Sequence, residues 1–181
     1  MLLVYTPKIT PRLNYIFKQI CTRILKIPVS FTSKIEEFIA HDSLKISYCA
    51  QQLGNEFHVK SHHILFEQGL SDIDINVHNW GTTKCFFFNG DKGGFPFDIF
   101  GAAFYLLSRY EEYLPHERDL FNRFAAESSV AYQNDFLQIA VVDRWVKMLA
   151  NVLQKHYPDL LIKHKPYRFI PTYDIDMAYA Y

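Results

Sequence analysis

The stretch Leu2-Leu-Val-Tyr-Thr-Pro-Lys-Ile-Thr-Pro-Arg-Leu-Asn-Tyr-Ile-Phe-Lys-Gln-Ile20 decides how this chain of 181 residues begins to fold. Leu2 to Tyr5 is a short apolar run of buried-strand character, ended by Thr6-Pro7, where proline has no N–H to give to a ladder. Thr10 is placed to cap a helix and Pro11 to open it. Leu13, Ile16, Phe17, Ile20 and Ile24 then recur at helical spacing, so an amphipathic helix is expected to about Leu25. Pro28 ends it, and Val29 to Thr32 reads as a strand. Strand, helix and strand in this order predict an α/β or α+β domain.

Outward from this start, Ser33 to Ala40 suits either a short helix or another strand. Leu44 to Cys49 alternates, with Leu44, Ile46 and Tyr48 on one side. Phe57 to Phe66, Ile73 to His78 and Lys84 to Phe88 extend a β-rich middle that Asn89-Gly90 and Gly93-Gly94 close in a turn. The second half changes to helix. Asp98 offers a cap, and Phe100, Ala103, Phe104, Leu107 and Leu114 line one face of a helix expected to run to about Tyr113. A polar, irregular stretch spans Pro115 to Asn134, and Trp145, Met148, Leu149 and Leu153 mark a third helix from about Asp143 to His156. The expected architecture is one domain with a mixed β-sheet packed by about three helices. Pro158 and Pro166 bracket a linker, a boundary falls near residue 165, and a new strand is expected from Tyr167.

Composition narrows the function classes. A 49% hydrophobic, 21% charged chain is ordinary for a globular domain. Its 19 basic and 19 acidic residues cancel, which gives no electrostatic reason to expect nucleic acid or an anionic membrane as partner. The 16 Phe and 12 Tyr sit mainly in apolar-periodic segments and are read as a thick aromatic core rather than a stacking platform. Cys21, Cys49 and Cys85 form no Cys-x-x-Cys pair, so they are read as reduced, half-buried fillers. The first residues lack the basic and long apolar regions of a secretory signal, and a cytoplasmic location is expected.

Several clusters carry potential chemistry. His58 and His62 have the spacing that places two imidazoles on one helix face, but the local pattern is strand, where four residues span about 13 Å, too wide for one zinc ion. Ser108-Arg109-Tyr110-Glu111-Glu112-Tyr113 concentrates charge after an apolar helix. It is read as a clamp in which Arg109 forks onto Glu112 or Asp119, with a binding or catalytic constellation as the alternative. Asp98, Asp119, Asn122 and Arg123 complete either arrangement. Asp72 and Asp74 read as solvated acids at an edge, and Asn89 to Gly94 as turn chemistry rather than a phosphate loop.

The last eleven residues hold the sharpest signal. Asp174 and Asp176 follow an apolar run one residue apart, which in a strand would send both carboxylates to one side. Two oxygen ligands do not close a zinc site, and no histidine follows them in the sequence. The chain is therefore expected to be the amino-terminal portion of a longer enzyme.

Thr172-Tyr-Asp174-Ile-Asp176 resembles the first motif of the polysaccharide deacetylase family, which opens a distorted (β/α) barrel. Pro96-Phe-Asp-Ile-Phe100, Leu107-Ser-Arg-Tyr-Glu-Glu-Tyr-Leu114 and the Asp119 to Phe124 segment resemble the uncharacterised domain that precedes such barrels in a group of bacterial proteins. The resemblance implies that residues 1–165 are an accessory domain, structural or substrate-positioning, and that residues 166–181 begin the catalytic barrel. It implies Asp174 as base and Asp176 as ligand of a divalent metal, usually zinc, in the full-length protein. The 181 residues themselves are expected to bind no cofactor and to release no acetate. Expected partners are the chain's own carboxy-terminal catalytic domain, a glycan and a second copy of the chain. Ile175 between the aspartates departs from the family pattern. Two other functions remain open from the residues alone: a self-contained α/β enzyme or nucleotide-binding domain built on Arg109, Glu111, Glu112 and Asp119, and a dimerisation module.

Overall fold

The computed structural model describes residues 1–90, 94–162 and 167–174. Four strands, β1 (Leu2–Tyr5), β2 (Val29–Thr32), β3 (Lys45–Cys49) and β4 (Phe57–Lys60), form a wholly parallel sheet in the order β2-β1-β3-β4. A separate antiparallel hairpin joins β5 (His78–Trp80) to β6 (Thr83–Cys85), so the two pairing directions lie in two sheets within an α/β domain.

Helix α1 (Pro11–Phe17) starts as its sequence directs. The Thr10 hydroxyl accepts from Leu13 N at 3.1 Å, satisfying one of the donors a helix start leaves free. The helix continues as π-helical turns over Lys18–Ile24, so the apolar stripe reaches Leu25 as expected. Helix α2 (Ile35–Ile39) settles the Ser33 to Ala40 ambiguity in favour of helix.

One sheet face carries Leu2, Val4, Ile46, Tyr48, Phe57 and Val59 into the main core. The opposite face, with Tyr5 and Cys49, is covered by Phe38 of α2. Into the main core also pack α1, α3 (Ile99–Leu107) and α5 (Val141–His156). Phe17 stacks on Phe100 with ring centroids 3.7 Å apart. Fully buried Trp145 donates its indole N–H to Lys84 O at 2.8 Å. The aromatic core expected from composition is thus present. Helix α3 is buried from Ile99 through Tyr105, which is why it is apolar on every side. Gly101 is required there, because a Cβ would stand 2.6 Å from the Asp98 carboxylate and 3.2 Å from Ile64. Helix α4 (Val130–Gln133) is a single turn at the end of the polar stretch.

Five expectations about elements change. The run from Lys84 is strand only to Cys85, and Phe87 takes a left-handed φ of 58°. Helix α3 stops at Leu107 instead of Tyr113, because Arg109 turns left-handed at φ 53° and the chain continues as a 3₁₀ turn, Tyr110–Tyr113. The run from Phe57 is strand only to Lys60, since His62 N is diverted to Asp98 at 2.8 Å and a 3₁₀ turn, His63–Leu65, follows. Residues 72–77 do alternate between exposed and half-buried, with Ile73, Ile75 and Val77 on the core, yet they join no ladder. The strand expected from Tyr167 is not formed over residues 167–174. Neither sheet has a strand beside it, and Tyr167, Phe169, Ile170 and Tyr173 stand exposed. Gly93, the boundary near residue 165, and Asp176 lie outside the described residues.

Candidate functional site

The left-handed Arg109 redirects the chain so that Glu111 points back toward the fold and is only 8% exposed. Its Oε2 accepts from Val130 N at 2.9 Å, the first residue of α4. The α4 cap, Ser129, accepts from Tyr132 N at 3.1 Å, so Glu111 and Ser129 together hold the start of this short helix. Between them the polar stretch loops outward. At its tip Asp119 accepts from Phe121 N (2.8 Å), Arg123 N (2.9 Å) and the Arg123 guanidinium (2.8 and 2.9 Å). An isolated antiparallel bridge between Arg118 and Phe124 closes the loop.

An open cleft of about 540 Å³ lies between this loop and the end of α3. Asp72, Glu111, Glu117 and Glu127 line it, and Tyr105 and Phe124 supply aromatic walls. Asp72 reaches the cleft because the Tyr110 hydroxyl bridges Ser71, accepting from its N–H at 2.9 Å and donating to its carbonyl at 3.2 Å. His116, also in the wall, shares a 2.8 Å contact from Nδ1 to Leu114 O, which fixes the proton on Nδ1. Burial raises the Glu111 carboxyl above its ordinary range, against the Val130 N–H bond that lowers it. Burial, then the charges of Glu111 and Asp72, raise the Tyr105 hydroxyl.

The residues expected to act together are only partly brought together. Arg109 forks onto Glu112 through Nε at 2.7 Å and Nη2 at 2.6 Å, and its Nη1 is 4.0 Å from Glu111. Asp119 pairs with Arg123 instead, so the clamp has Glu112 rather than Asp119 as partner. Asp98 is elsewhere. Fully buried, it accepts from Phe100 N (3.1 Å), Gly101 N (3.0 Å), the Tyr48 hydroxyl (2.6 Å) and His62 N (2.8 Å). It therefore caps α3 and ties it to the sheet. Burial still pushes its carboxyl up to about 6, despite four donors that favour the charged form.

Sequence reasoning missed Asp72, Tyr105, Glu117, Glu127 and Phe124 as members of one site. The available signal was the length and charge of the 115–134 stretch directly after a wholly apolar helix.

The whole cleft falls within one family. The chain belongs to the family of unknown function DUF7033, which matches residues 2–158. No curated protein and no solved structure is significantly similar to it. The DUF7033 match ends just past α5 and does not include residues 167–174.

The DUF7033 domain also locates the remaining candidates. His58, on β4, contacts the Ser47 hydroxyl at 2.9 Å, and that hydroxyl donates to Glu56 at 2.5 Å. The His62 ring lies flat on Phe87 with centroids 3.8 Å apart, and burial with the neighbouring His63 holds it down to about 4. The two histidines therefore serve different neighbours. Asp174 is exposed on the irregular segment, and its partner Asp176 is outside the described residues. Among the described residues no three His, Cys, Asp or Glu side chains gather as a metal site requires. Among the same residues no helix is long and apolar enough to cross a membrane.

Proposed function

We propose that this DUF7033 domain is a substrate-positioning accessory module that holds a glycan beside a deacetylase-like catalytic domain. The single observation that carries the reading is the cleft. The half-buried Phe124 ring offers apolar surface against which the C–H face of a pyranose can lie, and the carboxylates around it accept hydrogen bonds from its hydroxyls. A concave site with an apolar wall and a few converging polar groups is how small ligands are held. The cleft also lies outside both sheets, at the end of α3.

The resemblance supplies the catalytic partner. On that reading Asp174 and Asp176 belong to the start of the catalytic domain as base and ligand of a divalent metal, and the acetyl group is removed there rather than in the cleft. The test is titration of the 181-residue chain with tetrasaccharides of N-acetylglucosamine and of glucosamine, followed by amide chemical shifts. Shifts confined to residues 71–72 and 105–133 with at least one of the two sugars are expected, and Phe124→Ala should weaken binding by roughly tenfold, as loss of a stacking ring does. Failure of both sugars to bind would overturn the glycan reading.

A further inference from the structure

We infer that residues 115–125 form a docking arm whose tip, Leu120-Phe121, seats in an apolar groove of a second copy of this chain, in reciprocal exchange about a twofold axis. Leu120 is 100% exposed and Phe121 76%. The backbone beneath them is fixed. Asp119 accepts from Phe121 N and Arg123 N, the bridge between Arg118 and Phe124 closes the arm, and Asn122, left-handed at φ 62°, donates its N–H to Asp119 O at 2.9 Å. The Arg123 guanidinium lies over the Phe121 ring at 4.8 Å. Single apolar side chains on a surface are ordinary. Two adjacent ones on a stapled turn have little freedom left to lose on binding, which is what makes a good interface anchor.

The groove lies beside the arm. It holds about 240 Å³ between the end of α3, α4 and the start of α5, and Leu106, Leu107, Phe136, Leu137, Ile139 and Val142 give it apolar walls, with Leu107 and Leu137 exposed. Arg109 also lines it and stands over the Phe124 ring, 5.8 Å away at the base of the arm, so arm and groove share one end of the molecule. A twofold contact needs that adjacency, because each copy must offer both features to the other. Area favours exchange over a single insertion: a Leu-Phe tip and the walls that close on it each bury roughly 300 Å², so two tips in two grooves cover about 1,200 Å², the lower end for a specific interface. Charge agrees. Arg118 bonds to Asn122 through Nη1, Asp143 lines the groove in the first turn of α5, and among the described residues neither is in an ion pair. Exchange brings Arg118 to Asp143 of the partner subunit. The arm's own charges cancel, Arg118 and Arg123 against Glu117 and Asp119, so it has no pull toward an anionic bilayer.

Sedimentation equilibrium of the 181-residue chain from about 1 to 500 µM, which spans the weak affinities of so small an interface, tests the exchange. A monomer–dimer equilibrium is expected. Phe121→Ser should raise its dissociation constant about a hundredfold, roughly tenfold at each of two symmetric contacts, and should leave the melting temperature unchanged because the ring is exposed. Arg118→Asp and Asp143→Arg should each weaken the dimer several-fold, and the two together in one chain should bring it back toward wild type. A monomer throughout the range would overturn the inference. So would a dimer indifferent to Phe121→Ser, which would place the contact elsewhere, as on the exposed residues 167–173. Phe121-dependent co-sedimentation of a monomeric chain with phosphatidylcholine vesicles would also overturn it, making a lipid surface the occupant.

Discussion

Replacing Asp98 tests the part of the fold on which the cleft depends. Asp98→Ala removes the cap of α3, which costs about 1 kcal/mol, and leaves the Tyr48 hydroxyl and His62 N–H without their acceptor at about 1–3 kcal/mol each. The sum, about 3–7 kcal/mol, is comparable to the whole stability of a typical domain of about 5–15 kcal/mol. At about 2–4 °C per kcal/mol, the melting temperature should fall by roughly 10 °C or more. Asp98→Asn separates charge from shape. The Asp98 carboxyl is raised from 3.8 to about 6 by burial, so the folded state binds its proton more tightly than the unfolded chain does. Its contribution is then fully present below about pH 4 and lost as pH rises through 6, a change of about 3 kcal/mol for a shift of about 2 units. Urea unfolding followed by tryptophan fluorescence, with wild type and Asp98→Asn compared from pH 4 to 7, reads this directly. The stability gap should be widest near pH 4 and narrow toward pH 7. A gap that widens with pH would mean that the four donors outweigh burial, and the reasoning would fail.

Arg109→Gly should leave stability within about 0.5 kcal/mol of wild type, because loss of a half-exposed ion pair is offset by relief of a left-handed backbone. A thermal melt showing a much larger loss would make Arg109 the support of Glu111. Glu111→Ala should speed amide exchange across residues 126–136 by roughly tenfold with little effect on the sheet, since it strips the acceptor from Val130 N. Unchanged exchange there would refute the anchoring role. Ending the chain after Ile162 should keep the melting temperature within about 2 °C, as residues 167–174 are exposed and unpaired. A large drop would show that this segment belongs to the amino-terminal fold.

The strand-helix-strand opening was legible because Pro7, Thr10, Pro11 and Pro28 punctuate it with backbone chemistry that works locally. The third helix was legible from the spacing of Trp145, Met148, Leu149 and Leu153. What sequence could not supply was set by contacts across long separations. Period-two alternation at residues 72–77 predicts which side chains turn inward, and they do, but a strand also needs a neighbour's backbone. Leu114 continues the apolar spacing of α3 across a turn made by Arg109, whose side chain gives no sign of a positive φ. Glu111 and Asp119 were singled out as charged residues near one another, and only the tertiary structure shows that one faces the cleft while the other holds the loop. Asp72 joined the site through the Tyr110 hydroxyl, a contact with no local signature.

The wall of the cleft is a loop hung between α3 and α5, fastened at its return by Glu111 and Ser129 rather than by the sheet. Lengthening such a loop costs little, because closure entropy grows only with the logarithm of its length. Descendants of one ancestral sequence can therefore insert, delete or recharge residues between 115 and 129 without disturbing the strands, provided the residue that receives Val130 N is kept. The scaffold and the wall of the cleft are in this sense separable, the strands keeping their register whatever the loop's length and charge.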